Sequence, residues 1–336
     1  MPAIQIKVKD ETKYIYSVAR TRVLETRLLD RAVLERMVEA ESAEEVFRIL
    51  NETAYSETLG LARDPSQFEE VLSAELRKTY EYVRGFSPDP AVLDVLSLRY
   101  DLHNLKVLLK EKYTGKEAAA GAFAGGGSLD IKKARSAVLS GELRSLPEDY
   151  ARIASAAAAA VEETGDPQMI DLVVDGETFR LGLEIARSSG FDLLVEIWTV
   201  FIDVTNIKTL IRVNKLGKDR AFLKRCLIPG GSLKSERLLT LHGEPPSVVA
   251  EALRFTRYWR FAEGGLGEGF RFERMADNFV MGLLRTSKRK AFGPEPVIAY
   301  VLAKETEIRN LRIILTGKIN GLPNEAIRER LRDAYV

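Results

Sequence analysis

The sequence predicts an all-α protein built from three similar helical units. Two observations carry this: apolar residues recur at helical spacing almost throughout, with no alternating run that reads as a strand, and one tract occurs three times. Leu93, Leu96, Leu98, Leu102, Leu105, Leu108 and Leu109 illustrate the first, since steps of three and four keep side chains on one side of a helix. The tract from Asp101 to Leu109 returns from Asp203 to Ile211 and from Glu307 to Leu315. Asn104, Asn206 and Asn310 stand 102 and 104 positions apart, and each is followed eleven positions later by a glycine: Gly115, Gly217 and Gly321. Self-similarity held in register sets the architecture before any single element does, and this period is too long for the common solenoids. The expected domains are residues 1–120, 121–226 and 227–336.

Helix starts are expected where Asp precedes Pro, at Asp64-Pro65 (with Gln67 at capping-box spacing), Asp89-Pro90 and Asp166-Pro167. There the carboxylate can take a free first-turn N–H, and proline loses no helical bond. At 100° per residue Leu98, Leu102, Leu105 and Leu109 form one stripe, with Leu108 at its edge, Asp101 between them and Asn104 on the border. A carboxylate and an amide one turn apart on a buried face must find partners, most naturally the free amides and carbonyls of a neighbouring helix end. The same reading applies to Asp203 with Asn206 and to Glu307 with Asn310. Triplication argues for structure and against an acid or base catalyst.

Two loose connectors follow the first two tracts, residues 121–128 and 228–232, and both end in Gly-Gly-Ser-Leu, at Gly126 to Leu129 and Gly230 to Leu233. The duplication therefore extends past the motif helix. In the last third Gly293-Pro294 and Leu322-Pro323 punctuate the chain. The glycine-rich stretch 264–269 is expected to connect two helices.

With 50 Lys+Arg against 49 Asp+Glu the net charge is +1, so any polyanion binding must come from a local patch. Cys226 is the only cysteine, which excludes an intrachain disulfide framework or a cysteine zinc cluster and suits a reducing compartment. The longest uncharged stretch, 118–129, is mostly Ala and Gly and falls short of the about 20 apolar residues a membrane span needs. Residues 1–10 lack the apolar centre of a signal peptide. The expected location is the cytosol or the cytosolic face of a membrane.

Chemistry-bearing motifs fail on context. Thr316-Gly317-Lys318-Ile319 lacks the upstream glycine and following Ser/Thr of a phosphate loop and sits in a helical pattern, and residues 264–269 follow no strand. His103 has Thr205 and Arg309 at its equivalent places, His242 stands alone before Gly243, and Cys226 has no histidine nearby in sequence. None of these is expected to hold a metal or act in catalysis, and no cofactor is expected. One cluster stands out: Arg254, Arg257 and Arg260 interleave with Phe255, Tyr258, Trp259 and Phe261. Arg with aromatics can grip nucleic acid, but the favoured reading is a solvated or protein-contacting arginine face with Phe255, Trp259 and Phe261 packed inward.

Longer strings resemble a known family. Tyr16-Ser17-Val18-Ala19-Arg20-Thr21-Arg22 with Leu28-Leu29, Leu50-Asn51-Glu52-Thr53-Ala54-Tyr55, Tyr100 to Lys106, and the tract from Phe292 to Pro323 are similar to the C subunit of archaeal and bacterial V/A-type rotary ATPases, related to the vacuolar ATPase d subunit. The resemblance covers most of the chain. It implies a three-domain, pseudo-threefold, funnel-shaped all-α protein with a central cavity and no enzymatic activity of its own. It further implies a place on the cytoplasmic end of the membrane proteolipid ring, holding the foot of the central shaft so that shaft and ring turn together. Arg254, Arg257 and Arg260 are then a candidate partner interface. The alternative is a free-standing helical scaffold that binds RNA or an acidic protein.

Overall fold

The computed structural model describes residues 11–119, 121–263, 266 and 269–336. Residues 1–10 and, apart from Leu266 and Gly269, the glycine-rich stretch 264–269 lie outside the described residues, and with them the expectations placed there. Among the described residues there is no strand. The α-helices in chain order are α1 (Ile15–Glu25), α2 (Arg31–Glu39), α3 (Ala43–Leu50), α4 (Ser56–Leu59), α5 (Phe68–Arg84), α6 (Ala91–Thr114), α7 (Ile131–Ser140), α8 (Glu148–Thr164), α9 (Gln168–Ser189), α10 (Asp192–Lys215), α11 (Arg220–Cys226), α12 (Ser235–Leu239), α13 (Pro246–Leu253), α14 (Trp259–Glu263), α15 (Gly269–Thr286), α16 (Glu295–Ile319) and α17 (Asn324–Arg328).

The three motif tracts occupy the three long helices α6, α10 and α16, of 24, 24 and 25 residues. Their terminal glycines have φ of +66° at Gly115, +61° at Gly217 and +64° at Gly321. This left-handed conformation closes a helix and strains any residue with a Cβ. The repeated glycine thus stands at the end of each copy of the helix, as the C-cap of α6 and one residue past the C-cap of α10 and α16. At Gly217 and Gly321 the next residue's N–H returns to the last turn, Lys218 to Val213 at 3.2 Å and Leu322 to Gly317 at 2.8 Å.

The described residues cluster into two compact units, 89–242 and 11–88 with 243–336. In the first, α9 packs against α6, α8 and α10. Its centre is Trp198, buried with Leu194, Ile197, Leu181 and Leu183. A Cβ on Gly182 would stand 2.3 Å from the Trp198 ring, so that glycine is what lets α9 approach α10 face on. In the second unit α16 is the axis, packed by α5, α1, α15, α2 and α3. Nearly every side chain from Pro296 to Glu305 is buried, which explains a helix apolar all round in its first half.

Polar groups buried beside α16 are paired with one another. Lys304 Nζ lies 2.7 Å from Glu307 Oε1 and 3.2 Å from Glu75 Oε1, with all three side chains under a tenth exposed. Tyr55 donates to Glu307 at 2.8 Å, and Tyr80 to Glu305 at 2.7 Å. Burial pushes the Tyr55 hydroxyl well above its ordinary value, so it stays a donor. Removing Lys304 would leave the Glu75 and Glu307 carboxylates buried without their counter-charge, which costs more than the intact pairing contributes.

The Asp-Pro helix starts form as expected in kind. Asp64 accepts from Ser66 N at 2.8 Å and Gln67 reaches back to Arg63 N at 2.8 Å, while Asp166 accepts from Gln168 N at 2.9 Å. The helix after Asp89-Pro90 begins at Ala91.

Candidate functional site

Each motif asparagine grips one downstream residue by both halves of its peptide. Asn104 accepts from Ala124 N at 2.8 Å and donates to Ala124 O at 3.1 Å. Asn206 does the same to Ile228, at 2.8 Å both ways, and Asn310 to Arg332, at 2.8 and 3.0 Å. Only a planar amide carries a donor and an acceptor at this spacing, so Asp or Leu cannot replace the pair. All three asparagines are buried to 1% exposure or less, where an unmade bond is expensive.

One turn earlier the acid of each motif receives a second backbone segment. Asp101 accepts from Leu129 N at 2.7 Å, Ser128 Oγ at 2.8 Å and Tyr150 OH at 3.0 Å. Asp203 accepts from Leu233 N at 2.9 Å, Ser232 N at 3.0 Å and Ser232 Oγ. The two Gly-Gly-Ser-Leu connectors are therefore the acids' partners, and the glycine has a reason: a Cβ on Gly127 would fall 2.2 Å from Asp101 Oδ1, and one on Gly231 2.1 Å from Asp203 Oδ1. Burial pushes the Asp101 carboxyl above its ordinary value despite the opposing pull of these donors.

In the third copy the amide comes from the other end of the chain. Glu307 Oε2 accepts from Leu29 N at 2.5 Å, 278 residues away. Leu29 is followed by Asp30 as Leu129 is by Asp130, and both aspartates cap the next helix, Asp30 on Val33 N and Asp130 on Lys132 N and Lys133 N. The place two before the held amide, glycine in the first two copies, is here Arg27. Glu307 is also one methylene longer than Asp101 and Asp203. The longer acid delivers its carboxylate from farther back, leaving room for the Cβ that the shorter acids exclude. Sequence reading missed Leu29. The shared Leu-Asp of 29–30 and 129–130 was the available signal.

The arginine cluster departs from expectation. α13 stops at Leu253 and residues 254–258 form turns, so Arg254, Arg257 and Arg260 do not share one helix face. Thr256 Oγ1 donates to Leu253 O at 2.7 Å and accepts from Tyr258 N at 3.1 Å, a local arrangement that competes with the helix. Phe255 is 88% exposed and Trp259 41%, while Phe261 is buried. Packing of Phe255 and Trp259 inward is thus corrected. Arg254 pairs with Glu251 at 3.1 Å, Arg257 lies 5.1 Å from the Phe279 ring centre and Arg260 5.2 Å from that of Trp259. Of the three, Arg260 lines a cavity of about 490 Å³ with Phe261, Arg271, Arg274, Phe279 and Asp333.

Elsewhere the candidate chemistry stays dispersed. His103 is exposed, with Nε2 3.1 Å from Ala122 O, and His242 Nε2 is 2.8 Å from Lys218 O. Cys226 is half-buried, and burial pushes its thiol up. Thr316-Gly317-Lys318 lies inside α16, where the Lys318 ammonium donates to Val38 O at 2.6 Å, to Ala40 O and to Asn324 Oδ1 at 2.7 Å. Among the described residues no group of three or more His, Cys, Asp or Glu is placed to hold a metal, and no helix is long and apolar enough to cross a membrane.

The residues that build the three junctions, apart from Arg332, fall inside one family pattern. The model for the ATP synthase (C/AC39) subunit matches residues 17–330. The chain belongs to the ATP synthase (C/AC39) subunit family. Its relatives include the C subunit of the V-type sodium ATPase of Enterococcus hirae, 28% identical over 93% of this chain and 95% of that protein. The C subunit of the A-type ATP synthase of Methanocaldococcus jannaschii is 27% identical over 96% and 87%, and that of the V-type ATP synthase of Deinococcus radiodurans 24% over 95% and 91%. Membership in the C/AC39 family thus covers all three motif helices and both connectors.

Proposed function

We propose that the chain is the non-catalytic central-stalk subunit of a V/A-type rotary ATPase or ATP synthase. In this role it is a socket that ties the shaft of the ATPase head to the membrane proteolipid ring while protons or sodium ions cross. The observation that carries the reading is the family match from residue 17 to 330, with relatives named as the C subunits of a V-type ATPase and an A-type ATP synthase aligned along nearly the whole chain. The site geometry supports a structural part: the repeated acids and amides, the one triplicated constellation, are occupied by backbone donors and acceptors. Transmitting torque needs stiffness, and fully satisfied buried polar contacts rigidify a fold.

Three junctions of one design support the division into three repeat domains around residues 1–120, 121–226 and 227–336, arranged as a pseudo-threefold funnel. The proposed position is peripheral, on the cytoplasmic face of the membrane, held by the proteolipid ring. Arg254, Arg257 and Arg260, with the exposed Phe255 and Trp259, form a candidate surface for the shaft subunits. Exposed ion pairs contribute about 0–1 kcal/mol each, so single charge reversals there weaken docking slightly and reversal of all three strongly. A free-standing scaffold for RNA or an acidic protein is not favoured by the relatives named above, which are ATPase or ATP synthase subunits. Affinity purification of the tagged chain from its native membranes tests the proposal. Recovery of head, shaft and ring subunits is expected, and recovery of the chain alone refutes it.

A further inference from the structure

α1 is turned inside out. Its buried positions are Ser17, Val18, Thr21 and Glu25, three of them polar, while Ile15, Tyr16 and Val23 are 52%, 61% and 56% exposed and Ala19 is exposed beside them. A helix on a protein surface ordinarily buries its apolar stripe and leaves the polar one in water. The inversion is held in place by specific bonds: Ser17 donates to Phe86 O at 2.7 Å, Thr21 to Ser17 O at 2.7 Å, and Glu25 receives Tyr335 OH at 3.0 Å and Arg22. The bonds that leave the helix, from Ser17 to Phe86 O, from Tyr335 to Glu25 and from Arg22 to Ser287 O and Lys290 O, would break if it rolled its apolar side inward.

The exposed side has a definite shape and charge. Ile15, Ala19 and Val23 follow one another at i, i+4 and i+8, a straight ridge of about 12 Å. Arg20 borders it, donating to Tyr16 OH at 2.9 Å and to Tyr82 OH, with its guanidinium 5.0 Å from the ring centres of Tyr82 and Phe86. Tyr82 is itself 47% exposed. Among the described residues Arg20 makes no ion pair. The result is an apolar ridge beside a guanidinium that two tyrosine hydroxyls hold in a fixed pose, while Arg22 on the same helix is paired with Glu25.

We infer that this surface docks an amphipathic α-helix of a partner protein, whose apolar stripe lies on Ile15, Ala19 and Val23 and whose Asp or Glu meets Arg20. A helical ridge is the complement of a second helix. A lone guanidinium in a planar aromatic cage suits one carboxylate, whereas an anionic bilayer surface is recognised by clusters of basic residues. A second copy of this chain packed about a twofold axis would set Arg20 near its own equivalent. The inference goes beyond the coupling role and does not depend on it.

The test places a photo-crosslinking amino acid at Val23 in the full chain, expressed in its native cells in place of the wild type, with the exposed Lys133 as control position. The expected result is an adduct at Val23 and none at Lys133, mapped by mass spectrometry to a helical segment of another protein with Asp or Glu within one turn. Arg20→Glu should lower adduct yield about tenfold, as loss of about 1.4 kcal/mol does, and reversing the mapped acid to Arg should restore it. Ile15→Asp, which leaves the Arg20 cage and the crosslinker at Val23 in place, should abolish the adduct even if Arg20→Glu fails to fold. The inference is overturned by no adduct, by adducts confined to lipid, to a second copy or to this chain's own residues 1–10, or by undiminished yield from folded Arg20→Glu.

Discussion

Asn206 and Ile228 bind each other twice, the side-chain amide of one matching the peptide N–H and C=O of the other at 2.8 Å each. Both residues are buried, so neither half of the pair has water as an alternative. Asn206→Leu should therefore cost about 1–3 kcal/mol in unfolding free energy by urea titration, the loss typical of stranded buried partners. Unchanged stability combined with lost coupled ATPase activity would show that Asn206 contacts a partner instead.

The covariation of acid length with the glycine gives a sharper prediction. Gly231→Ala puts a Cβ 2.1 Å from Asp203 Oδ1 and should destabilise by about 1–3 kcal/mol through overpacking. Adding Asp203→Glu recreates the pairing of Glu307 with Arg27, so the double variant should recover part of that loss. A favourable coupling of at least about 0.5 kcal/mol in the double-mutant cycle is expected. Additive losses would disprove the steric account.

How much of this was legible varied with the range of the interaction. The stripe, Asp101, Asn104 and Gly115 could be read because a helix repeats locally and the chain repeats its own helix three times. The partner of Glu307 was missed because Leu29 lies 278 residues away, and the only linear trace of it is the short Leu-Asp that 29–30 shares with 129–130. The exposure of Phe255 was misread for a different reason: a helical wheel assumes an unbroken helix, and the Thr256 side chain ends it by binding Leu253 O and Tyr258 N. The inverted α1 escaped notice because burial of Ser17 and Thr21 depends on Phe86 and its neighbours, not on spacing.

Burial raises the Asp101 carboxyl above its ordinary 3.8. An acid with a raised folded value binds its proton more tightly folded than unfolded. Its contribution to stability is thus complete below the unfolded value and is lost as pH rises through the folded one. Asp101→Asn removes that titration. The wild type's advantage over the Asn variant should shrink as pH rises from about 3 toward neutrality, measured by thermal unfolding across the range. An advantage that grows with pH would mean that the donors from Ser128, Leu129 and Tyr150 outweigh burial.

The Lys318 ammonium is engaged by Val38 O, Ala40 O and Asn324 and lies within a helix, so it cannot cradle a phosphate. The isolated chain should show no micromolar heat of binding on calorimetric titration with Mg-ATP. A measurable site would contradict the non-catalytic reading.

The central claim, that this protein joins shaft to ring, is tested most directly by reconstituting the purified rotary complex in vesicles with and without the chain. Without it, ATP hydrolysis by the head should continue while ATP-driven ion uptake is lost, and adding the folded chain back should restore uptake. Ion uptake that persists in full without the chain would contradict the account.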